Sequence, residues 1–237
     1  MSAPRTWLVT GSSRGLGLEI VRQLLSDASN TIIATCRNPD NASSLKSLAD
    51  NAKGVLHVVR LDVSDEVSIQ SSVQAVEEIL GSSRGLDYLV NNAAISSGND
   101  TAFGFSVAGF ESTLKSNVIG PALLGQVLLP YLLKGDRKVI VNFSSGLGSI
   151  GLDYGGQNAT YSISKTAVNM LTYKQARAQP ELIAIALDPG WVKTDMGGQN
   201  APLEPHESVS EILKLITSLS LSESGKYYRY SGEELLW

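Results

Sequence analysis

Cysteine is almost missing from this 237-residue chain: Cys36 stands alone, which excludes an internal disulfide framework. Neither charge sign dominates. The 19 basic and 23 acidic residues are scattered rather than gathered in a stripe, so nucleic acid is not an expected partner. The opening MSAPRTWLVTGS lacks the apolar core of a signal peptide, and with the single cysteine this leads to the expectation of a reducing compartment, the cytoplasm. Long apolar runs are also missing. The longest, PALLGQVLLPYLL at 121–133, falls short of the roughly 20 residues a bilayer requires and reads as a buried helix, so no membrane is expected. No Pro/Ser-rich linker or shift in composition divides the chain, and residues 1–237 read as a single domain.

What is present suits an ordinary globular protein, with 43% hydrophobic residues to build a core. Short β-rich runs alternate with helical patterns: TWLVT then LEIVRQLL, TIIATC then ASSLKSLAD, VLHVVRLD then EVSIQSSVQAVEEIL. The alternation continues through LDYLVNN, a helical region near 106–134, KVIVNFSS, a helix over about 160–178, IAIALDPG, a helix over about 207–220, and KYYRY. Strands apolar on both faces and separated by helices indicate an α/β fold, a doubly wound parallel sheet of seven strands with helices on both faces. Ligands of such sheets sit beyond the carboxyl ends of the strands. The segments found there are TGSSRG, CRNP, LDVS, NNAA, FSSG and DPGWVKT.

The hexapeptide GSSRGL occurs twice, at 11–16 and 81–86. The first copy follows a strand, opens a helix and is extended by Gly17; there glycines let backbone N–H groups approach a pyrophosphate. The second follows a helix and precedes a strand. It reads as a surface turn, with Gly81 at the helix C-cap and Gly85 in the turn. Both copies also satisfy G-x-S-x-G, the nucleophile elbow of serine hydrolases. A triad would have to draw on His57 or His206, and only ten residues precede Gly11 to supply an oxyanion loop, so that reading is set below the first. A purely structural glycine turn stays open on this motif alone.

TGSSRGLG at 10–17, NNAA at 91–94, Asn117 in SNVIG, the serines of VNFSSG, YSISK at 161–165 and DPGWVKT at 188–194 occur in one order. In that order they resemble the short-chain dehydrogenase/reductase family, over essentially the whole chain. The ending GKYYRYSGEELLW looks like that of the family's Sniffer and C-factor branch of carbonyl reductases. The resemblance implies a Rossmann fold and cofactor contacts at Gly11, Ser13, Arg14, Gly15, Leu16 and Gly17. It further implies Asp62 and Val63 near the adenine, Asn92 and Ala93 on the adenosine side, and Pro189, Gly190, Val192 and Thr194 beside the nicotinamide. Asn91 would steady the sheet. Ala94 departs from the family's glycine. The alternative role for Asp62 is a helix N-cap, which Ser64 could equally fill.

In NAD-binding relatives of this architecture an acid about 20 positions beyond the loop takes the ribose hydroxyls. Here that position is Arg37, and no acid appears before Asp40. A guanidinium suits a 2′-phosphate, with Arg14 as a second candidate, so NADP(H) is the expected cofactor. Arg37 as a plain solvated loop residue is the rival reading.

Tyrosine and lysine four apart on a helix share a face. Alone, Y-x-x-x-K is more often a solvated face than a site. With the other motifs, the resemblance makes Tyr161 the general acid, Lys165 its positive neighbour and ribose ligand, Ser145 the hydrogen-bond donor to the substrate oxygen, and Asn117 the holder of a water serving Lys165. Tyr161 and Lys165 thus count as both catalytic and cofactor-binding. An ammonium nearby should lower the phenol's pKa from about 10. Ser144 takes a structural place. From Ser145 to Tyr161 the gap is 16 residues, longer than the family's usual spacing, as if GLDYGGQN were inserted. Asn117 can also be read as a bend in a long helix. No metal is expected.

The expected activity is NADPH-dependent reduction of a ketone or aldehyde. A cofactor-binding sensor with little turnover is the second reading, disfavoured by the full set Asn117, Ser145, Tyr161 and Lys165. A Tyr–Lys epimerase or dehydratase would carry a larger substrate domain. The substrate pocket is expected to draw on Ile95, the 147–158 loop, Trp191 and MGGQNAP at 196–202. The resemblance implies a homodimer or homotetramer through the helices near 106–134 and 160–178.

Overall fold

The computed structural model describes residues 4–82 and 84–237. Seven strands form one sheet: β1 (Arg5–Val9), β2 (Asn30–Cys36), β3 (Val55–Arg60), β4 (Tyr88–Asn91), β5 (Val139–Phe143), β6 (Ile183–Asp188) and β7 (Tyr227–Arg229). Their order is β3-β2-β1-β4-β5-β6-β7, and every pair is parallel. The strand order reverses between β1 and β4, which opens the crevice where such sheets bind ligands. The architecture is the seven-stranded, helix-covered Rossmann fold that the alternating patterns require.

Side chains alternate across the sheet. Trp7, Val9, Ile32 and Val90 pack on one face with α1 (Gly15–Leu24) and α7 (Pro205–Ser218), through Ile20, Val21, Leu24, Val209, Ile212 and Ile216. Leu8, Ile33, Leu89 and Ile140 pack on the other with α3 (Glu66–Leu80) and α5 (Gly120–Lys134), through Ile69, Val76, Leu124, Leu128 and Leu132. Burying each such side chain contributes on the order of 1.5–3 kcal/mol.

The helix expected over ASSLKSLAD is broken into single turns around α2 (Ser43–Lys46). Leu45 and Ala42 are buried in the core there, with Leu48 packed partly buried against it, and serine side chains compete for backbone groups, as in Ser47 Oγ donating to Ser44 O. The 106–134 region is one continuous helix with a π turn: α4 (Val107–Leu114), Lys115–Ile119, then α5. At 28 residues, Val107–Lys134 is long and apolar enough to cross a membrane, which corrects the reading based on the 13-residue run alone. Its Leu124, Leu128 and Leu132 are fully buried against the sheet, but Ile119 and Val107 are exposed, so it is not a helix buried all round.

Candidate active site

The glycine loop is built by close packing at the end of β1. Thr10 Oγ1 accepts from the amides of Asn92 and Ala93, both at 3.0 Å, and Asn92 Nδ2 donates to Thr10 O at 2.8 Å. This ties the end of β4 to the end of β1. Gly11 lies at φ +68° and Gly15 at φ +55°, a region costly to residues with a Cβ. A Cβ on Gly17 would stand 2.3 Å from Gly11 O and 2.6 Å from Asn92 Nδ2, so no side chain fits. No side chain caps the N-terminus of α1, and no acidic side chain occupies that helix's first turn. The cradle fits a pyrophosphate.

The second GSSRGL copy does something else. Gly81, at φ +66°, ends α3 with its amide donating to Glu77 O at 2.8 Å, and Arg84 donates to Ile79 O and Leu80 O. Ser83 lies outside the described residues. Gly85 is no free surface turn: a Cβ there would fall 2.1 Å from Gly135 N, and Thr6 Oγ1 donates to Gly85 O at 2.6 Å. The expectation of a plain surface turn is corrected at Gly85 by this crossing of two backbones.

A cleft of about 310 Å³ lies beyond the strand ends. Its walls include Gly11, Ser13, Arg14, Gly15 and Leu16 of the loop, Arg37 after β2, Asp62 and Val63 after β3, and Asn92 and Ala93 after β4. Tyr161 and Lys165 of α6 (Ala159–Ala178), with Pro189 and Thr194 after β6, complete it. Gly17, Gly190 and Val192 stand behind the wall: Gly190, at φ +79°, packs on the Tyr230 ring, and Val192 is buried. Among the described residues Arg37 makes no ion pair, whereas Arg14 is engaged by Asp195, Nη1 to Oδ2 2.9 Å, between two largely exposed side chains. The N-cap of α3 is Asp65, neither Asp62 nor Ser64. Asp62 instead accepts from the amide and hydroxyl of Ser64 and stays on the cleft.

α6 sets Tyr161 and Lys165 one turn apart, with Nζ 5.4 Å from the phenol ring centre. Lys165 is buried and donates to Phe143 O at 2.7 Å. Ser145, just past β5, hydrogen-bonds Tyr161 and also accepts from Leu147 N. Ser144 is buried and donates to Asn169 Oδ1 at 2.5 Å, and of the two serines it is Ser144 that lines the cleft. The longer gap is accommodated in a loop with left-handed residues Asp153, Gly155 and Asn158, ahead of the first turn of α6.

Asn117 sits in the π turn between α4 and α5, so the expected bend is a local change of helix type. Its Oδ1 accepts from Ile95 N and its Nδ2 donates to Ile95 O and to Ser164 Oγ, at 2.9, 2.9 and 3.0 Å. Ser164 in turn donates to Tyr161 O at 2.7 Å. Both amide protons of Asn117 are therefore engaged, and the side chain braces the start of α6.

Burial is the largest influence on the dyad. It lifts the Tyr161 phenol above its ordinary value, helped by the negative charge of Asp188 and opposed by the Ser145 hydrogen bond. It pushes the Lys165 ammonium down to about 7, against the attraction of Asp188. The sequence expectation of a lowered phenol pKa is corrected here: it counted the charge on Lys165 and omitted desolvation of both groups. Asp188, raised by burial, was missed altogether. So were Cys36, Ser112, Ser116, Phe143 and Asp195, which also line the cleft, whereas Met196 on the same wall falls in the expected 196–202 segment. Asp195 directly follows Thr194, and Ser112 and Ser116 share a helical face; both could have been extended from motifs already in hand. Ile95 lines the cleft as expected, while Trp191 is exposed and donates to Gly197 O.

Known proteins are similar to this chain in sequence and fold. The NADPH-bound carbonyl reductase from chicken fatty liver is 36% identical, with 100% of both chains covered and a TM-score of 0.93. Carbonyl reductase Sniffer of D. melanogaster is 31% identical over 100% of both chains, also with a TM-score of 0.93. The short chain dehydrogenase gsfK of Penicillium aethiopicum is 31% identical, covering 99% of this chain and 100% of its own. The short chain dehydrogenase family model matches residues 5–204, which take in the glycine loop, the Tyr–Lys pair and the segment after β6. By sequence and by fold, the chain belongs to the short-chain dehydrogenase family.

Proposed function

We propose that this protein is an NADPH-dependent carbonyl reductase that converts a ketone or aldehyde to the alcohol. The observation that carries the reading is the meeting of Tyr161 and Lys165 on the wall of the cleft bounded by the glycine loop, with Ser145 hydrogen-bonded to Tyr161. The N-terminus of α1 and its glycines would hold the pyrophosphate, Arg37 the 2′-phosphate, Asp62 and Val63 the adenine end, and Lys165 the nicotinamide ribose. The bound cofactor supplies a hydride to the carbonyl carbon. Tyr161 delivers a proton to the carbonyl oxygen, Ser145 donates a hydrogen bond to the same oxygen, and the charge on Lys165 eases loss of the phenolic proton. Asn117 keeps Tyr161 in place through Ser164.

Exposed Ile163, Met170 and Tyr173 on α6, with Ile119 at the start of α5, support self-association through these helices as a homodimer or homotetramer. The activity is tested by following oxidation of NADPH and NADH with a panel of ketones, aldehydes and quinones. Turnover with NADPH preferred is expected. Cofactor binding without turnover on any carbonyl would favour a sensor instead.

A further inference from the structure

Two groups outside the Asn–Ser–Tyr–Lys set hold the main chain at Ser145. Tyr227, the first residue of β7, is only 1% exposed and donates its hydroxyl to Ser145 O at 2.5 Å. Asp188, the last residue of β6, accepts from the amide of Gly146 and from Gly190 N. The β6–β7 register sets Asp188 opposite Arg229, whose Nε lies 3.8 Å from the carboxylate. One strand pair therefore grips both polar atoms of the single peptide group that joins Ser145 to Gly146.

Tyr227 is itself braced. Its ring stacks on Trp237, centres 5.5 Å apart, and Leu235 N donates to Tyr227 O at 2.8 Å. The same C-terminal residues hold the turn that follows Ser145: Ser149 Oγ donates to Leu236 O at 2.7 Å and Gly151 N to Trp237 O at 3.0 Å. The 146–151 turn and the phenol that holds Ser145 share one support.

We propose that Tyr227 is a positioning residue for Ser145, fixing its main chain from β7 so that the hydroxyl meets the substrate oxygen at the geometry reduction requires. The proposal rests on the role assigned to Ser145 above. The Ser145 carbonyl accepts from Gly148 N at 2.7 Å as well as from Tyr227; removing the phenolic donor leaves it held only from within its own turn, and a shift well below 1 Å at a transition-state donor is costly.

Tyr227→Phe keeps the ring and its stack and removes only the hydroxyl, with its hydrogen bonds to Ser145 O and to the Ser144 side chain. The expected result is a fall in kcat of about tenfold with an unchanged Kd for NADPH, and no further fall when the change is added to Ser145→Ala. An equal loss in both backgrounds, or no loss in the first, would overturn the proposal. Hydrogen exchange on the intact protein reads the same question without turnover. Amides of 146–151 should exchange faster in Tyr227→Phe while those of the glycine loop do not change; equal protection in the 146–151 turn would overturn it. Failure of the wild-type chain to reduce any carbonyl would count against the proposed activity alone.

Discussion

Lys165 Nζ lies 5.4 Å from the centre of the Tyr161 ring while its proton goes to Phe143 O at 2.7 Å. The ammonium is thus close enough to act on the phenol, yet buried enough to lose its own charge near neutrality. Burial holds its pKa down to about 7.

A pH dependence follows from that value. The lysine carries its charge below about 7 and loses it above. Reduction that needs the charge should have a kcat/KM for the carbonyl that is level at low pH and declines as pH rises through 7. Lys165→Arg, which stays charged, should move the decline upward even if its plateau is lower. A profile that rises through pH 7 would assign Lys165 another role. Stability moves the other way. Below about 7 both folded and unfolded chains hold the proton and the cost of a buried charge is felt in full; that cost fades from 7 toward 10.5, so Lys165→Met should stabilise the fold more at pH 6 than at pH 10.

Arg37 faces the cleft without an ion-pair partner among the described residues, whereas Arg14 is tied to Asp195. Arg37→Asp should therefore reduce the ratio of kcat/KM for NADPH over NADH by roughly 10–100-fold, the worth of a charge-assisted hydrogen bond of about 1.5–3 kcal/mol. Steady-state kinetics with both cofactors checks this, and an unchanged ratio removes Arg37 from the site.

The two GSSRGL copies give a paired test. Gly15→Val places a β-branched residue at φ +55° in the loop and should abolish NADPH binding measured by fluorescence titration. Gly85→Val drives a side chain into the Gly135 backbone. Overpacking of this kind costs about 1–3 kcal/mol or more, so a lowered Tm with unchanged NADPH affinity in the folded fraction is expected. Loss of NADPH binding in the folded Gly85→Val protein would contradict the division of roles.

Much of the fold was legible because strands such as NTIIATC are apolar on both faces and can only be interior. The glycine loop was legible from context: identical strings were separated by whether a strand or a helix came before them. The fate of Gly85 was not, since its constraint comes from Gly135, distant in sequence. Asp188 and Tyr227 escaped for the same reason. Asp188 is the first residue of DPGWVKT and Tyr227 falls in the expected strand KYYRY, but only the β5-β6-β7 pairing brings them to Ser145 and Gly146. The dyad's electrostatics were misjudged because a motif displays charge and conceals burial.

Tyr161→Phe removes the phenolic proton and leaves the cleft otherwise intact. With NADPH and a carbonyl that the wild-type protein reduces, its kcat should fall by about 10²–10⁴-fold, the usual contribution of a general acid, while the Kd for NADPH stays within about twofold to threefold. A Tyr161→Phe protein that turns over at the wild-type rate would contradict the assignment of the proton donor and the chemistry built on it.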